Sequence, residues 1–301
     1  MSAGYRPVRA RREETLSIRG LAYCLHCWGP ADAEPVLLLH GWGDSGAAFQ
    51  FLVDALGGEQ RFLAPDWRGF GKTDWSPAGY WYPDYLADLD AIVEALGAAP
   101  VRMLGQSMGG NVAGLYAGVR PERVRALVLV EGFGLPDSNP AEAPARYRRW
   151  LDEQREVPEF RRYPSVEALA ERLQARNPAL GAARARFAAE AWSRTDEGGC
   201  VLRADPAHKR VNPVAYRRAE AQACWRAITA PVLLVAGSAS RFRRLLDDVW
   251  LARATSGAFP VAQREIIADA GHMVHHEQPA RLAAVVDRFF AAAEQVNPPQ
   301  G

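Results

Sequence analysis

The chain has 301 residues, 49% of them hydrophobic, and a formal net charge of +1. This length suits one large α/β domain or a core with an insertion, and the apolar content fills a sizeable core, which excludes disorder as the main state. A charge this close to zero gives no reason to expect nucleic acid or an anionic membrane as a partner.

Neither a secretory leader nor a membrane span is evident. Residues 1–20 contain several arginines but lack the apolar segment of a signal peptide, and no run approaches the roughly 18 apolar residues of a membrane span. Cys24 and Cys27 have a metal-like spacing, but no second Cys/His pair completes four ligands, and on a strand they face opposite sides. We therefore expect a soluble, cytoplasmic protein with no metal and with these cysteines as structural thiols.

The first part of the chain alternates predicted strands and helices. A continuous apolar run such as Pro35–Gly41 is typical of a strand buried on both faces. Apolar residues at i, i+3 and i+4 over Pro83–Leu96 indicate an amphipathic helix. The predicted strands are Thr15–Gly20, Leu21–Trp28, Pro35–Gly41, Arg61–Pro65, the apolar run that starts at Val101, and Val124–Val130. The predicted helices are Ala47–Leu56, Pro83–Leu96 and the segment after Ser107.

The alternation of strands and helices stops over residues 135–229, where the sequence shows helical patterns separated by prolines and no buried strands. The helices predicted in this stretch are Ala145–Glu156, Ser165–Ala175, Ala182–Arg194 and Val214–Ala227. The earlier pattern then resumes with strands at Pro231–Ser238 and Arg264–Ala268 and helices at Arg241–Ala254 and Pro279–Gln295. We therefore predict a mostly parallel eight-stranded sheet with helices on both faces and an all-helical cap inserted after the sixth strand.

One pentapeptide, Gly105-Gln-Ser107-Met-Gly109, joins a predicted strand to a predicted helix. This is the G-x-S-x-G pattern in the strand–turn–helix context that gives it meaning. Glycine is needed at the flanking positions because a strand end packed tightly against a helix start leaves no room for a Cβ atom. The turn exposes the hydroxyl of Ser107 and leaves the N–H of Met108 free at a helix N-terminus, where negative charge is favoured.

Other polar side chains also follow predicted strands. His40, Asp66 and Glu131 each lie at or just past a strand end, as Ser107 does. Ligands of open parallel sheets bind beyond the carboxyl ends of the strands. We therefore expect these four segments to converge on one edge of the sheet.

These motifs resemble those of the α/β-hydrolase superfamily across nearly the whole chain. The resemblance rests on His40-Gly-Trp-Gly43, Asp66-Trp-Arg-Gly-Phe-Gly71, Gly105-Gln-Ser-Met-Gly-Gly110 and Gly271-His272. The layout is similar to the branch that contains haloalkane dehalogenases, epoxide hydrolases, carbon–carbon bond hydrolases and many small esterases. It implies a hydrolase core formed by residues 1–134 and 230–301, with a helical cap over residues 135–229.

The resemblance implies that Ser107 is the nucleophile and His272 its base. A serine hydroxyl is a weak nucleophile at neutral pH and needs a base within hydrogen-bond reach. The family carries that base in the loop after the last strand, where Gly271-His272 stands. The dehalogenases and epoxide hydrolases of this fold have a carboxylate as nucleophile, so Ser107 favours acyl transfer instead. His275 and His276 are expected to pack beside His272 rather than act as the base.

The third member of the triad departs from the common family pattern. The family usually places an aspartate a few residues beyond the seventh strand, but Gly237–Arg241 contains no carboxylate. The nearest acids, Asp247 and Asp248, fall within a predicted helix. Some haloalkane dehalogenases instead carry the acid after strand six, where this chain has Glu131. A carboxylate at the end of an apolar strand is costly to bury without a partner, and we assign Glu131 to orient His272; Asp247 and Asp248 remain the alternatives.

The oxyanion hole is expected to use the backbone N–H groups of Trp42 and Met108. A pocket between core and cap suits an acyl or alkyl group of moderate size. The expected lining residues are Trp42, Phe133, Leu135, Tyr147 and Trp150. No metal or organic cofactor is implied.

The function expected from these residues is a carboxylesterase-like serine hydrolase that cleaves a small-molecule ester, thioester or lactone through an acyl-enzyme. A carbon–carbon bond hydrolase of diketone-type substrates would use the same triad, and the sequence does not separate the two. A non-catalytic ligand-binding member of the fold is a third alternative. The oligomeric state is not readable from these residues.

Overall fold

A computed structural model describes residues 4–296. In chain order, these residues form the strands β1 (Arg12–Ile18), β2 (Leu21–Trp28), β3 (Pro35–Leu39), β4 (Arg61–Pro65), β5 (Val101–Gln106), β6 (Val124–Val130), β7 (Ser193–Asp196), β8 (Gly199–Leu202), β9 (Val232–Gly237) and β10 (Ala262–Ile267). The helices are α1 (Gln50–Ala55), α2 (Tyr82–Ala95), α3 (Met108–Val119), α4 (Ala143–Glu153), α5 (Val166–Arg176), α6 (Gly181–Trp192), α7 (Arg218–Arg226), α8 (Arg243–Ser256), α9 (Val274–Glu277) and α10 (Pro279–Val296).

Eight strands form one sheet in the order β1-β2-β4-β3-β5-β6-β9-β10. β2 runs antiparallel to β1 and β4, and every other neighbouring pair is parallel. The predicted fold class, a mostly parallel eight-stranded α/β sheet, is confirmed. Three strands have the predicted bounds, β2, β4 and β6.

Helices cover both faces of the sheet because its central strands are apolar on both sides. In β3, Leu37 and Leu39 belong to one buried cluster, whereas Val36 and Leu38 belong to the other, as the two-residue period of a strand requires. Side chains of α2 and α3 complete the first cluster, and side chains of α1 and α10 complete the second. Full burial of each such aliphatic side chain contributes about 1.5–3 kcal/mol.

We call residues 135–229 the insert; it lies between β6 and β9 and holds α4 to α7. The prediction that this segment contains helices alone is wrong, because β7 and β8 form a separate antiparallel hairpin there. Gly199, with φ +100°, supplies a turn conformation that other residues avoid. The backbone of Tyr163 exchanges two hydrogen bonds of 2.8 Å with that of Cys200 and so extends the hairpin.

The second half of the insert contacts the core at two points. The N–H of Asp205 donates to the carbonyl of Gly69 at 2.8 Å, and Trp225 of α7 is buried in the core cluster. The division into core and cap domains at residues 135 and 229 stays a prediction. Within residues 4–296, no helix has both the length and the apolar character that crossing a bilayer requires.

Candidate active site

Ser107 occupies the turn between β5 and α3 in a strained conformation, with φ +51° and ψ −115°. Few non-glycine residues adopt positive φ, and such residues cluster at functional sites. The flanking glycines permit the turn: a Cβ on Gly105 would lie 2.5 Å from the carbonyl oxygen of Gly109, and one on Gly109 would lie 2.2 Å from that of Leu39. The predicted steric reason for these glycines therefore holds in the structure.

The structure brings His272 to Ser107. His272 Nε2 lies 3.0 Å from Ser107 Oγ, within hydrogen-bond distance. A hydrogen bond from the last residue of β5 anchors the loop that carries His272, because Gln106 Nε2 donates to the carbonyl of His272 at 3.1 Å. The ring of Phe242 lies 4.7 Å from the imidazole, centroid to centroid. The imidazole remains partly exposed, at 27%, so a small molecule can reach it.

The structure also brings Glu131 to the other side of the imidazole. Glu131 Oε2 lies 3.2 Å from His272 Nδ1, and the Glu131 side chain is completely buried. Two further donors face this carboxylate: the N–H of Gly237 at 2.8 Å from Oε1 and the hydroxyl of Ser240 at 2.5 Å from Oε2. Hydrogen bonds of this kind stabilise the ionised form of a buried carboxyl. The buried charge at the end of β6 is therefore well compensated.

The two alternative acids lie elsewhere. Asp247, on α8, pairs with Arg264 at 3.0 Å and with Arg243 at 3.9 Å, and Asp248 is exposed. Among the three acids weighed from the sequence, Glu131 is the one whose carboxylate reaches the imidazole.

The loop after β3 carries Trp42, one of the two expected oxyanion donors. His40 is completely buried and donates from Nδ1 to the carbonyl of Gly41 at 2.7 Å, while its Nε2 accepts from the N–H of Trp67 at 2.9 Å. Burial lowers the pKa of His40, so the ring is neutral and its tautomer is set by these two bonds. Within residues 4–296, the N–H groups of Trp42 and Met108 have no hydrogen-bond acceptor.

A cavity of ≈ 280 Å³ opens beside Trp42 and Met108. Six of its lining residues are tryptophan or tyrosine: Trp42, Tyr80, Trp81, Tyr82, Tyr85 and Trp150. Of the residues expected to bind substrate, Trp42 and Trp150 line this cavity. Phe133 is instead buried in the core, and Leu135 and Tyr147 are exposed; these three do not line it.

The sequence reasoning missed the remaining aromatic wall and His208. The run Tyr80-Trp81-Tyr82, between Gly79 and the first turn of α2, is an unusual concentration of aromatic residues and was the available signal. His208 carries no such signal, because it reaches the site from a part of the insert distant in sequence. Its ring stacks between Phe70 and Tyr80, with centroids 3.9 and 3.6 Å away. Burial lowers the pKa of His208 to about 3, so it is uncharged at neutral pH.

Behind the site, Asp44 joins three segments. Its carboxylate faces Nε2 of His275 at 3.1 Å and Nε2 of His276 at 3.3 Å, and it accepts from Trp192 Nε1 at 2.7 Å. His275 and His276 therefore pack behind the loop of His272, and Trp192 brings the end of α6 to the same point. Burial opposes ionisation of Asp44, but the charge of His276 and hydrogen bonds from both histidines hold its pKa below the ordinary range.

Two buried clusters combine metal-ligand residue types. One is the Asp44 group with both histidines, and the other joins Cys24, His26 and Asp66. Donor atoms in each lie within 4.8 Å of one another. In each cluster the side chains already contact one another, since His26 Nε2 also lies 3.1 Å from Asp66 Oδ2. Cys24 and Cys27 are free thiols, and the expectation that no metal binds stays a prediction.

With a strained serine between strand and helix, a histidine after the last strand and this sheet order, the chain has the features of an α/β hydrolase. It belongs to the alpha/beta hydrolase fold family, whose sequence pattern matches residues 34–279. The resemblance inferred from the motifs is thereby confirmed.

Several relatives cover most of the chain. A serine hydrolase-like protein of Danio rerio is 29% identical and covers 87% of this chain and 83% of its own length. A 3-hydroxybutyrate-oligomer hydrolase of Cupriavidus necator is 29% identical, and the match covers 89% of this chain and 92% of that protein. Among solved structures, the thioesterase domain from the curacin biosynthetic pathway has a TM-score of 0.83 and 26% identity and covers 92% of this chain and 99% of its own.

Proposed function

We propose that this protein is a serine hydrolase that cleaves a carboxylic ester, thioester or lactone with Ser107, His272 and Glu131 as its triad. The observation that carries the proposal is the continuous contact from Ser107 Oγ through the imidazole to the Glu131 carboxylate, 3.0 Å on one side and 3.2 Å on the other. The relatives named serine hydrolase-like protein, oligomer hydrolase and thioesterase domain support the same class.

The first step is attack on the carbonyl carbon. Since a carboxylate only accepts hydrogen bonds, the contact with Glu131 sets His272 with its proton on Nδ1 and a free lone pair on Nε2. Nε2 takes the hydroxyl proton of Ser107 as Oγ bonds to the carbonyl carbon. The imidazolium that forms lies against the negative charge of Glu131, which stabilises it.

The negative oxygen that develops in this step needs donors. The unpartnered N–H groups of Trp42 and Met108 are suited to that role, and the N-terminus of α3 favours the charge further. Removal of one such donor typically raises a barrier by about 3–4 kcal/mol. The imidazolium then gives its proton to the leaving alcohol or thiol, and the acyl group remains on Ser107.

The second half-reaction repeats the proton transfers with water. Nε2 accepts a proton from water, the hydroxide attacks the acyl carbon, and Ser107 regains its proton as the acid leaves. A cavity of ≈ 280 Å³ lies at the lower end of the usual range for small-molecule sites. A short or medium acyl group is therefore favoured over a long lipid chain.

An active-serine probe tests this proposal. The wild-type protein and Ser107→Ala are treated with a fluorophosphonate, and the labelled residue is identified by mass spectrometry. Labelling of Ser107 that is lost in the variant, together with turnover of nitrophenyl esters, thioesters or lactones, supports the assignment. Labelling at another serine contradicts it, and turnover of a diketone panel without ester turnover favours carbon–carbon bond cleavage instead.

A further inference from the structure

The cavity lined by Trp42 and by Met108, the residue that follows Ser107, contains one charged side chain, Arg210, among the described residues of its wall. The remaining lining is aromatic, aliphatic or neutral and polar, and His208 is uncharged there. A single guanidinium in an otherwise neutral site dominates its electrostatic potential, because the surrounding rings screen a charge less than water does.

The charge of Arg210 is not matched by an acid. Within residues 4–296, no carboxylate oxygen lies within ion-pair distance of it, and its side chain makes one hydrogen bond, from Nη2 to the carbonyl of Glu156 at 3.2 Å. The Nε atom is buried and has no hydrogen-bond partner. An unpaired buried donor is costly, and more so on a charged group, so the guanidinium lacks part of the hydrogen bonding that it would have in water.

The nearby acid is already engaged. Glu153 accepts from Arg149 Nε at 2.6 Å through one carboxylate oxygen and from the N–H of Val211 at 2.6 Å through the other. Arg210 acts on Glu153 at longer range, as a minor contribution to the lowered pKa of that carboxyl, after the Val211 N–H and Arg149. Glu153 therefore does not pair with Arg210 at ion-pair distance.

We infer that the preferred substrate of the proposed hydrolase carries a carboxylate, which Arg210 binds while the carbonyl to be attacked lies at Ser107. The inference rests on the proposed function and narrows its substrate class to short acidic esters or thioesters. A guanidinium matches the planar geometry of a carboxylate and can hold both oxygens. A single positive charge balances a carboxylate, which is a monoanion, whereas a phosphate dianion would need further cationic side chains. The indole and phenol rings cover the carbon chain between the two ends.

Matched ester pairs test the charge directly. Mono-4-nitrophenyl glutarate is compared with 4-nitrophenyl pentanoate, which has the same chain length, and 4-acetoxybenzoate with 4-tolyl acetate, which moves the charge to the alcohol. We expect kcat/KM to favour the charged member of one pair by about ten- to hundredfold, the range for a hydrogen bond to a charged group. The pair that shows this preference identifies the half of the substrate that carries the carboxylate.

The preference must depend on Arg210. Arg210→Met keeps the stem and removes the charge, and we expect the ratio within the pair to fall at least tenfold. A ratio is insensitive to a general loss of folded protein. Arg186→Met is the matched control, because Arg186 is 48% exposed on α6, outside the cavity, and pairs with Glu190 at 3.0 Å. A wild-type ratio near one in both pairs, or the same ratio in both variants, overturns the inference and leaves the hydrolase proposal standing.

If no ester is turned over, a binding experiment still distinguishes the anionic-substrate proposal from the hydrolase proposal. The Ser107→Ala protein is titrated with glutarate mono-anilide and with pentananilide by calorimetry. If no ester is turned over but the charged anilide binds more tightly and Arg210→Met removes the difference, the anionic site stands and the hydrolase proposal falls. If no ester is turned over and neither anilide is favoured, both fall.

Discussion

Ser240 donates its hydroxyl hydrogen to Glu131 at 2.5 Å, on the same carboxylate oxygen that faces His272. The N–H of Gly237 binds the other oxygen at 2.8 Å. Gly237 ends β9 and Ser240 follows it by three residues, close to where the family usually places its acid. At the end of β9 this chain therefore has no acid. It has instead two hydrogen-bond donors, which bind the carboxylate of Glu131 at the end of the neighbouring strand β6.

The proposed role of Glu131 predicts a large kinetic effect from Glu131→Gln. The amide offers the imidazole no negative charge, and its NH2 group can impose the wrong tautomer on His272. By analogy with removal of a triad acid in serine proteases, kcat should fall by about 10³- to 10⁴-fold. Asp247→Asn serves as the control, since Asp247 lies on α8 and pairs with Arg264 of β10 instead of the imidazole. Initial rates with a nitrophenyl ester give kcat for both variants. A larger decrease in kcat for Asp247→Asn than for Glu131→Gln would show that the acid is misassigned.

Ser240→Ala should have a smaller effect of the same kind. The variant removes the hydrogen bond to the buried carboxylate, a loss of about 1.5–3 kcal/mol when the acceptor is charged, together with the bond that Ser240 Oγ accepts from the N–H of Phe242 at 3.1 Å. We expect that decrease in the free energy of urea unfolding, and a lower kcat with little change in KM because Ser240 does not line the cavity. Ser238→Ala is a matched control, since Ser238 bonds to the N–H of Asp269 instead. Equal unfolding free energies in the two variants would contradict the proposed contact.

The strands of the sheet were predictable because each one is recognisable from its own run of apolar residues, without knowledge of its neighbours in the fold. An apolar run such as Val124–Val130 needs no partner to be recognised, and a glutamate at the end of such a run is visible as an exception. The hairpin of β7 and β8 was not predictable in this way. Each of its strands has four residues, and the preceding helix pattern extends into the first of them.

The contacts around the candidate site were harder to predict than the proximity of Ser107, His272 and Glu131. Ser240 and Gly237 carry no motif, and their role depends on β6 and β9 being neighbours in the sheet. The aromatic cavity joins residues before α2 with residues of the insert more than a hundred positions later. Sequence periodicity describes single elements and does not report which distant loops meet.

Glu277 is expected to position His272. Its carboxylate accepts from the N–H groups of Gly271 and Met273, the residues on either side of His272, and from Asn177 of the insert at 2.9 Å. Glu277→Gln replaces one acceptor oxygen by a donor, so one of these N–H groups loses its partner. We expect kcat to fall by about tenfold with KM nearly unchanged, since a misplaced base affects the chemical step.

The control for Glu277 is Glu265→Gln. Glu265 lies on β10 and pairs with the exposed Arg288 at 2.8 Å, so its loss should change kcat by less than twofold. Ring signals of His272 in a histidine-resolved NMR spectrum should shift in the Glu277 variant and not in the control. A Glu277 variant with unchanged kcat and unchanged ring signals would show that the loop is held by other contacts.

Stability should fall as the pH drops below neutrality because three histidines, His40, His208 and His275, are buried uncharged. Burial, with the neighbouring His276, lowers the pKa of His275 to about 4, and burial lowers that of His208 to about 3. Unfolded histidine takes up a proton near pH 6.5, so as the pH falls from about 6.5 towards 4 the unfolded chain binds protons at these three positions before the folded chain does. Each contributes about 1.4 kcal/mol per pH unit to the loss of unfolding free energy. Urea unfolding at pH 7, 6 and 5 should therefore show a steep decline, and His208→Phe, which keeps a ring between Phe70 and Tyr80, should remove about a third of the slope. A variant whose slope equals that of the wild type would mean that His208 is not held neutral in the folded protein.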